Sequence, residues 1–197
     1  ILPSEEGDEM SLRANWSYPT AIKFGAGRIA ELAEQCKAVG MTRPLLVTDK
    51  ALATLPITAQ ALDILEAAGL GRAVFSDVDP NPNEHNMEAG IAVYKAGGHD
   101  GVVCFGGGSA LDLGKMIALM AHQRADLSVW DLEDVDDWYT RADASRIAFS
   151  DCGDLAAGDA DAACAIFRGA NSSNFIRDSF YGAVGDFYRC CTSRADT

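Results

Sequence analysis

The residues most suited to chemistry are Gly106-Gly107-Gly108-Ser109, which follow the apolar run Val102-Val103-Cys104-Phe105 and precede Ala110-Leu111-Asp112-Leu113-Gly114-Lys115. An apolar run, a glycine turn and a helical pattern, in that order, describe a short buried strand that bends sharply into a helix. The glycines permit the bend and let a ligand approach the backbone without meeting a Cβ. N–H groups at a helix start lack intrahelical acceptors, and the helix dipole favours negative charge there. Ser109 is placed to cap that helix or to donate to a phosphate oxygen. The chemistry predicted is phosphate binding, as in a nucleotide. A tight strand-to-helix turn without a ligand would use the same residues, and that alternative stays open.

The elements that must hold this turn can be read on either side of it. Tyr18-Pro19-Thr20-Ala21-Ile22-Lys23-Phe24 alternates like an edge strand, where Pro19 is tolerated. Ile29, Leu32, Ala33, Cys36 and Val39 recur at helical spacing, and Gly40 ends that helix. Pro44-Leu45-Leu46-Val47-Thr48 reads as a buried strand with Asp49 at its carboxyl end. Pro56 opens a second helix with Ala61, Leu62, Leu65 and Ala68 on its buried face. A third strand centres on Ala73-Val74-Phe75, a Pro/Asn-rich turn covers residues 77–83, and Met87, Ile91, Val93, Tyr94 and Ala96 mark a further helix. Residues 101–105 are the fourth strand, and residues 109–122 the helix after the glycines. Strands that are apolar throughout and alternate with helices predict a parallel sheet covered on both faces. Ligands bind such sheets at the carboxyl ends of the strands. Asp49, the 77–83 turn and Gly106-Gly107-Gly108-Ser109 all fall at such ends, which strengthens the nucleotide reading.

The 197 residues, 48% of them hydrophobic, suffice for one core, and the net charge of −13 argues against nucleic acid or an anionic membrane as partner. No apolar run approaches the ~20 residues of a membrane span, and a cytoplasmic location is the expectation. Of the six cysteines, Cys36 and Cys104 fit the core, and none has the spacing of a zinc site. Residues 1–14 show no periodicity and are expected to be a disordered leader, with Met10 as the natural start. Trp130 and Trp138 are expected to pack in loops. After His122 the order weakens. Residues 151–167 carry scattered alanines suited to a weak helix, and Asn171-Ser172-Ser173-Asn174 and the stretch from Cys190 onward look irregular.

Four motifs, in the right order, resemble those of the iron-containing (group III) alcohol dehydrogenases. Residues 106–115 fit that family's GGGSxxDxxK pattern, supported by Lys23-Phe24-Gly25-Ala26-Gly27, Val47-Thr48-Asp49-Lys50 and Asp79-Pro80-Asn81-Pro82. The resemblance runs from residue 16 to about 147. It implies a Rossmann-like α/β domain of the dehydroquinate synthase-like type over residues 15–148, facing an all-helical metal-binding domain across the active-site cleft. It implies hydride transfer between a small-molecule alcohol or aldehyde and a nicotinamide cofactor, with Fe²⁺ or Zn²⁺ in the full-length family. Carried over, Gly106, Gly107, Gly108 and Ser109 meet the pyrophosphate, Asp112 lies toward the nicotinamide, Asn81 lines the cleft and Asp49 faces the adenosine ribose. A carboxylate there accepts from ribose hydroxyls and repels a 2′-phosphate, so NAD is favoured over NADP. Asp49 as a helix N-cap and Asp112 as a partner of the helix dipole are the alternatives. Lys115 is expected on the helix surface. A homodimer is the expected assembly.

The family pattern then stops. Ile147-Ala148 is followed by Phe149-Ser150-Asp151-Cys152-Gly153-Asp154 where a PTTxGTGSE-type motif belongs. The family's metal ligands, one Asp and three His, have no counterparts: His85, His99 and His122 all lie upstream, and His85 and His99 read as exposed loop residues. No catalytic or metal-binding residue is therefore assigned in this chain, which alone is expected to be inactive. Residues 149–197 are expected to be a frame-shifted or disordered tail. Ser150-Asp151-Cys152-Gly153-Asp154 is compatible, one base out of register, with codons for Val-Ile-Ala-Val-Thr. A glycerol dehydrogenase-like or dehydroquinate synthase-like enzyme, or a nucleotide-binding module without catalysis, are the alternative readings.

Overall fold

The computed structural model describes residues 14–17, 21–132, 141–143, 149–154 and 163–167. The expectations for the leader before Ala14, for Pro19, Trp138 and Asn171-Ser172-Ser173-Asn174, and for Cys190-Cys191 lie outside these residues.

Seven strands form one sheet: β1 (Ala14–Ser17), β2 (Ala21–Phe24), β3 (Pro44–Val47), β4 (Val74–Phe75), β5 (Gly101–Phe105), β6 (Phe149–Asp154) and β7 (Ala163–Phe167). Their order is β1-β2-β7-β6-β5-β3-β4. Strands β4, β3, β5 and β6 run parallel, while β7, β2 and β1 are antiparallel to their neighbours. Among the described residues four α-helices connect and cover the strands: α1 (Leu32–Ala38), α2 (Pro56–Ala67), α3 (Glu84–Ala96) and α4 (Gly108–Met120).

The parallel strands are apolar throughout because both faces are covered. Leu45, Val47, Val102 and Cys104 point to one side, where Met87 and Tyr94 of α3 and Leu113, Met116 and Ile117 of α4 complete a core. Leu46, Val103 and Phe105 point to the other, against Leu32 and Cys36 of α1 and Ala61, Leu62 and Leu65 of α2. This is the two-residue alternation of a strand serving two cores at once. Cys36 and Cys104 are buried, as their positions in the pattern predict.

Local chemistry sets the helix limits. Pro56 occupies the first turn of α2, where its missing N–H costs nothing. Asn83 caps α3, accepting from the backbone N of His85 (3.0 Å) and Asn86 (3.3 Å), while the Asn86 side chain accepts from the Asn83 N–H at 3.0 Å. At the amino ends of the strands, Asp100 accepts from Thr42 N (2.7 Å) and Arg43 N (2.8 Å), tying the approach to β5 to the approach to β3.

Two readings change. The stretch before Gly25 is no edge strand, since β2 pairs with β1 on one side and β7 on the other. The alanines of residues 151–167 suit a helix, yet this segment contributes β6 and β7. Tertiary pairing overrides local propensity there: β6 runs in register with β5 from Gly101↔Phe149 to Phe105↔Gly153, and the backbone ladder needs no particular side chain.

Candidate cofactor cleft

A cleft of about 440 Å³ opens at the carboxyl ends of β3, β4 and β5, lined by Asp49, Lys50, Ala51, Val78, Asp79, Pro80, Gly107, Gly108, Ser109 and Ala110. Three chain segments thus meet where a parallel sheet places its ligands.

The three glycines divide their labour. Gly106 has φ +141°, and a Cβ there would lie 3.1 Å from Leu52 Cδ2 and 3.2 Å from Ala110 Cβ, so the fold itself requires glycine. Gly107 and Gly108 are different. Gly107 has an extended backbone at φ −79° that any residue adopts, and Gly108 is already helical. A Cβ on either would meet nothing within 4 Å. Protein packing gives no reason for glycine at these two positions, whereas a ligand lying on the backbone does.

Helix α4 starts at Gly108 with Gly107 as N-cap and no side-chain cap. The expectation that Ser109 caps the helix is therefore corrected. The helix begins one residue earlier, Ser109 falls inside its first turn, and the hydroxyl instead donates to Pro80 O at 2.6 Å. That bond latches the 77–83 turn against the glycine turn. The N–H groups of Gly108 and Ser109 sit at the helix start, where an anion finds unpaired donors and the positive end of the dipole.

Asp49 is half-buried, and its Oδ1 accepts from Leu52 N at 2.8 Å. That bond steadies the short 3-10 turn Leu52–Thr54, whose N-cap position is Ala51 and not Asp49, while the Asp49 side chain lines the cleft. Buried Thr58 of α2 donates to Leu52 O at 2.7 Å and so fixes the turn from below. Asn81 is exposed one residue past Pro80, and the cleft wall at this turn comes from Val78, Asp79 and Pro80. Asp112 is half-buried in the second turn of α4, 3.7 Å from Lys115 Nζ, too far along the helix to be a first-turn dipole partner. Lys115 is likewise half-buried, contrary to its surface assignment.

Sequence reasoning gave no site role to Lys50 or Asp79, which line the cleft, although Lys50 adjoins Asp49 and Asp79 lies in the 77–83 turn it singled out. Thr48 is fully buried one residue before Asp49, and its hydroxyl has no hydrogen-bond partner among the described residues. An orphaned hydroxyl costs about 1–3 kcal/mol. Lys50 Nζ lies 2.6 Å from Asp77 Oδ1, joining the end of β3 to the turn after β4. The Lys50 ammonium holds the Asp77 carboxyl below its ordinary range.

The histidines do not converge. His85 is exposed on α3; His99 faces Arg43 O at 3.0 Å; His122 Nε2 lies 3.2 Å from Tyr94 Oη. His99 is half-buried beside the Tyr94 ring, so its expected exposure is corrected. Among the described residues no three His, Cys, Asp or Glu side chains form a metal-holding group. Exposed Trp130 donates from Nε1 to Glu84 Oε2 at 2.9 Å. No described helix is long and apolar enough to cross a membrane.

The sequence pattern of the iron-containing alcohol dehydrogenases matches residues 19–148. The chain belongs to this family. A 4-hydroxybutyrate dehydrogenase of Cupriavidus necator is 37% identical over 113 residues, 57% of this chain and 29% of the relative. A 1,3-propanediol dehydrogenase of Klebsiella pneumoniae is 38% identical over 115 residues, 57% of this chain and 30% of the relative. Among solved structures, a 1,3-propanediol oxidoreductase superposes with a TM-score of 0.58 at 31% identity, over 70% of this chain and 34% of that one. An archaeal halo-thermophilic alcohol dehydrogenase from a Red Sea brine pool gives 0.59 at 29% identity, over 66% and 33%. The matched portion is therefore under a third of the curated relatives' length. The family and its named relatives are oxidoreductases, and its enzymes use NAD(P) and a metal.

Proposed function

We propose that residues 15–148 are the NAD-binding part of an iron-dependent alcohol dehydrogenase, serving hydride transfer between a small alcohol or aldehyde and the nicotinamide. The observation that carries this is the open space over Gly107 and Gly108 at the start of α4, inside a cleft edged by Asp49. Bound NAD supplies the hydride acceptor, which no side chain can replace. The chain's own residues do the rest. The N–H groups of Gly108 and Ser109 take the pyrophosphate charge. The free oxygen of Asp49 accepts from a ribose hydroxyl, and its charge disfavours a 2′-phosphate. Ser109 holds the 77–83 turn against the start of α4 and so keeps the cleft wall in place, and Asp112 is assigned to the nicotinamide side. The described residues present no ligand set for the metal, so substrate activation is assigned to none of them. Residues 149–197 fall outside the family portion, and a soluble cytoplasmic enzyme, dimeric in its working form, fits the reading.

Calorimetric titration with NAD, on wild type and on Gly107→Val, tests it. A Cβ at residue 107 meets no atom within 4 Å, so the variant is expected to fold, and a circular dichroism spectrum matching wild type checks that it does. It is expected to lose NAD affinity by more than about tenfold, the scale of a blocked phosphate contact of about 1.4 kcal/mol or more. Equal affinity in the two proteins would sink the proposal.

A further inference from the structure

The cleft's ribose side holds more charge than Asp49. Asp79 lines it, Lys50 is the cation in the lining, and Asp77 pairs with Lys50 from the turn after β4. Lys50 follows Asp49 directly, so it is the positive charge that this side of the cleft can offer a 2′-phosphate on the adenosine ribose. In the structure it turns away to Asp77, at 2.6 Å, where both side chains are more than half exposed. A lysine beside a ribose pocket ordinarily welcomes a 2′-phosphate, since an ammonium is a flexible point charge that follows its anion. Here that charge is already matched.

We propose that Asp77 is a specificity-determining residue: by engaging Lys50 it withholds the only lysine of the cleft lining from a 2′-phosphate, and so reinforces the choice of NAD over NADP. The inference rests on the NAD-binding reading above. It makes cofactor choice a property of two strand ends, β3 supplying Asp49 and Lys50, and the turn after β4 supplying Asp77. Asp77 is anchored for this role, since its carbonyl accepts from the buried Asn86 side chain at 3.1 Å, fixing the turn to the start of α3. Without Asp77, Lys50 still feels the charge of Asp79, and Asp49 still lines the cleft, so preference weakens without inverting.

The test is calorimetric titration of the full chain with NAD and with NADP, on wild type, Asp77→Asn, Lys50→Gln and the double variant. Asp77→Asn is expected to lower the ratio of the NADP to the NAD dissociation constant about twofold to fivefold, the scale of one exposed charge contact. Adding Lys50→Gln is expected to abolish that gain. A gain that persists in the double variant overturns the proposal, because removal of Asp77's own repulsion then accounts for it. An unchanged ratio in Asp77→Asn, with NAD still bound, also overturns it and leaves the NAD reading standing. If wild type binds neither nucleotide, the NAD reading falls and takes this inference with it.

Discussion

Gly114→Ala probes how tightly α4, and with it the glycine turn, is seated on the sheet. A Cβ at residue 114 would overlap Cys104 Sγ, lie 3.1 Å from Cys104 Cβ and 3.5 Å from Val102 Cγ1. Cys104 is fully buried in the centre of β5, so neither side can give way freely. Two effects oppose each other. Alanine is the better helix former by about 1 kcal/mol, whereas overpacking a dense core costs about 1–3 kcal/mol. The atoms met are short, fully buried side chains of a central strand with little room to turn, at the costly end of that range, so net destabilisation of about 1–2 kcal/mol is expected. For a chain of this size that lowers Tm by roughly 3–6 °C. Circular dichroism melts and urea titrations of the full chain measure it. Cys104→Ala supplies the internal check. Alone it costs about 1 kcal/mol for the lost sulfur. Combined with Gly114→Ala it removes the worst overlap, so the double-mutant cycle should show a coupling of about 1–2 kcal/mol in the favourable direction. A Gly114→Ala protein at least as stable as wild type, with additive single effects, would refute the seating of α4 described above.

Asn83→Ala removes the reciprocal cap at the start of α3 and is expected to cost about 1 kcal/mol. Faster amide hydrogen exchange at His85 and Asn86, whose N–H groups the Asn83 side chain accepts, is the local signature, and unchanged exchange there would contradict the cap. Glu31 gives an acid-dependent contribution. Hydrogen bonds from Arg28 first, then Lys23, hold its carboxyl at about 2, down from 4.5. Because the folded value lies below the unfolded one, this stability is present above pH ~4.5 and is lost as pH falls toward about 2. The side chains are partly exposed, so about 0.5–1 kcal/mol is at stake. Glu31→Gln should lower stability by that amount at neutral pH and match wild type at the acid end; an equal difference at both ends would refute the assignment.

Much was legible in the chain because it depends on neighbours three or four residues away. The apolar runs of β3 and β5, the helical spacing of Leu32, Cys36, Ala61 and Leu65, and the turn at Gly106 follow from backbone geometry and burial on a local scale. So do the motifs that place the chain in its family, since the central one spans one strand end, one glycine turn and one helix start. What residues do across the cleft was a different matter. Ser109 reads as a cap or a phosphate donor, yet its hydroxyl is spent on Pro80, 29 residues away. Lys50 has no role in the sequence beyond its place in the Val47-Thr48-Asp49-Lys50 motif until the turn after β4 brings Asp77 to it. Nothing in the composition of residues 149–154 and 163–167 announces strands, but β5 and β2 offer them ladders to complete. The sequence by itself determined the order of elements from β2 to α4 and the glycine turn before α4, because both are set by short-range sterics and hydrogen bonding. The tertiary structure alone decided which polar groups are engaged and which face the cleft. Those pairings join residues distant in the chain, and only the packing of β3, β4 and β5 side by side brings them within a hydrogen bond.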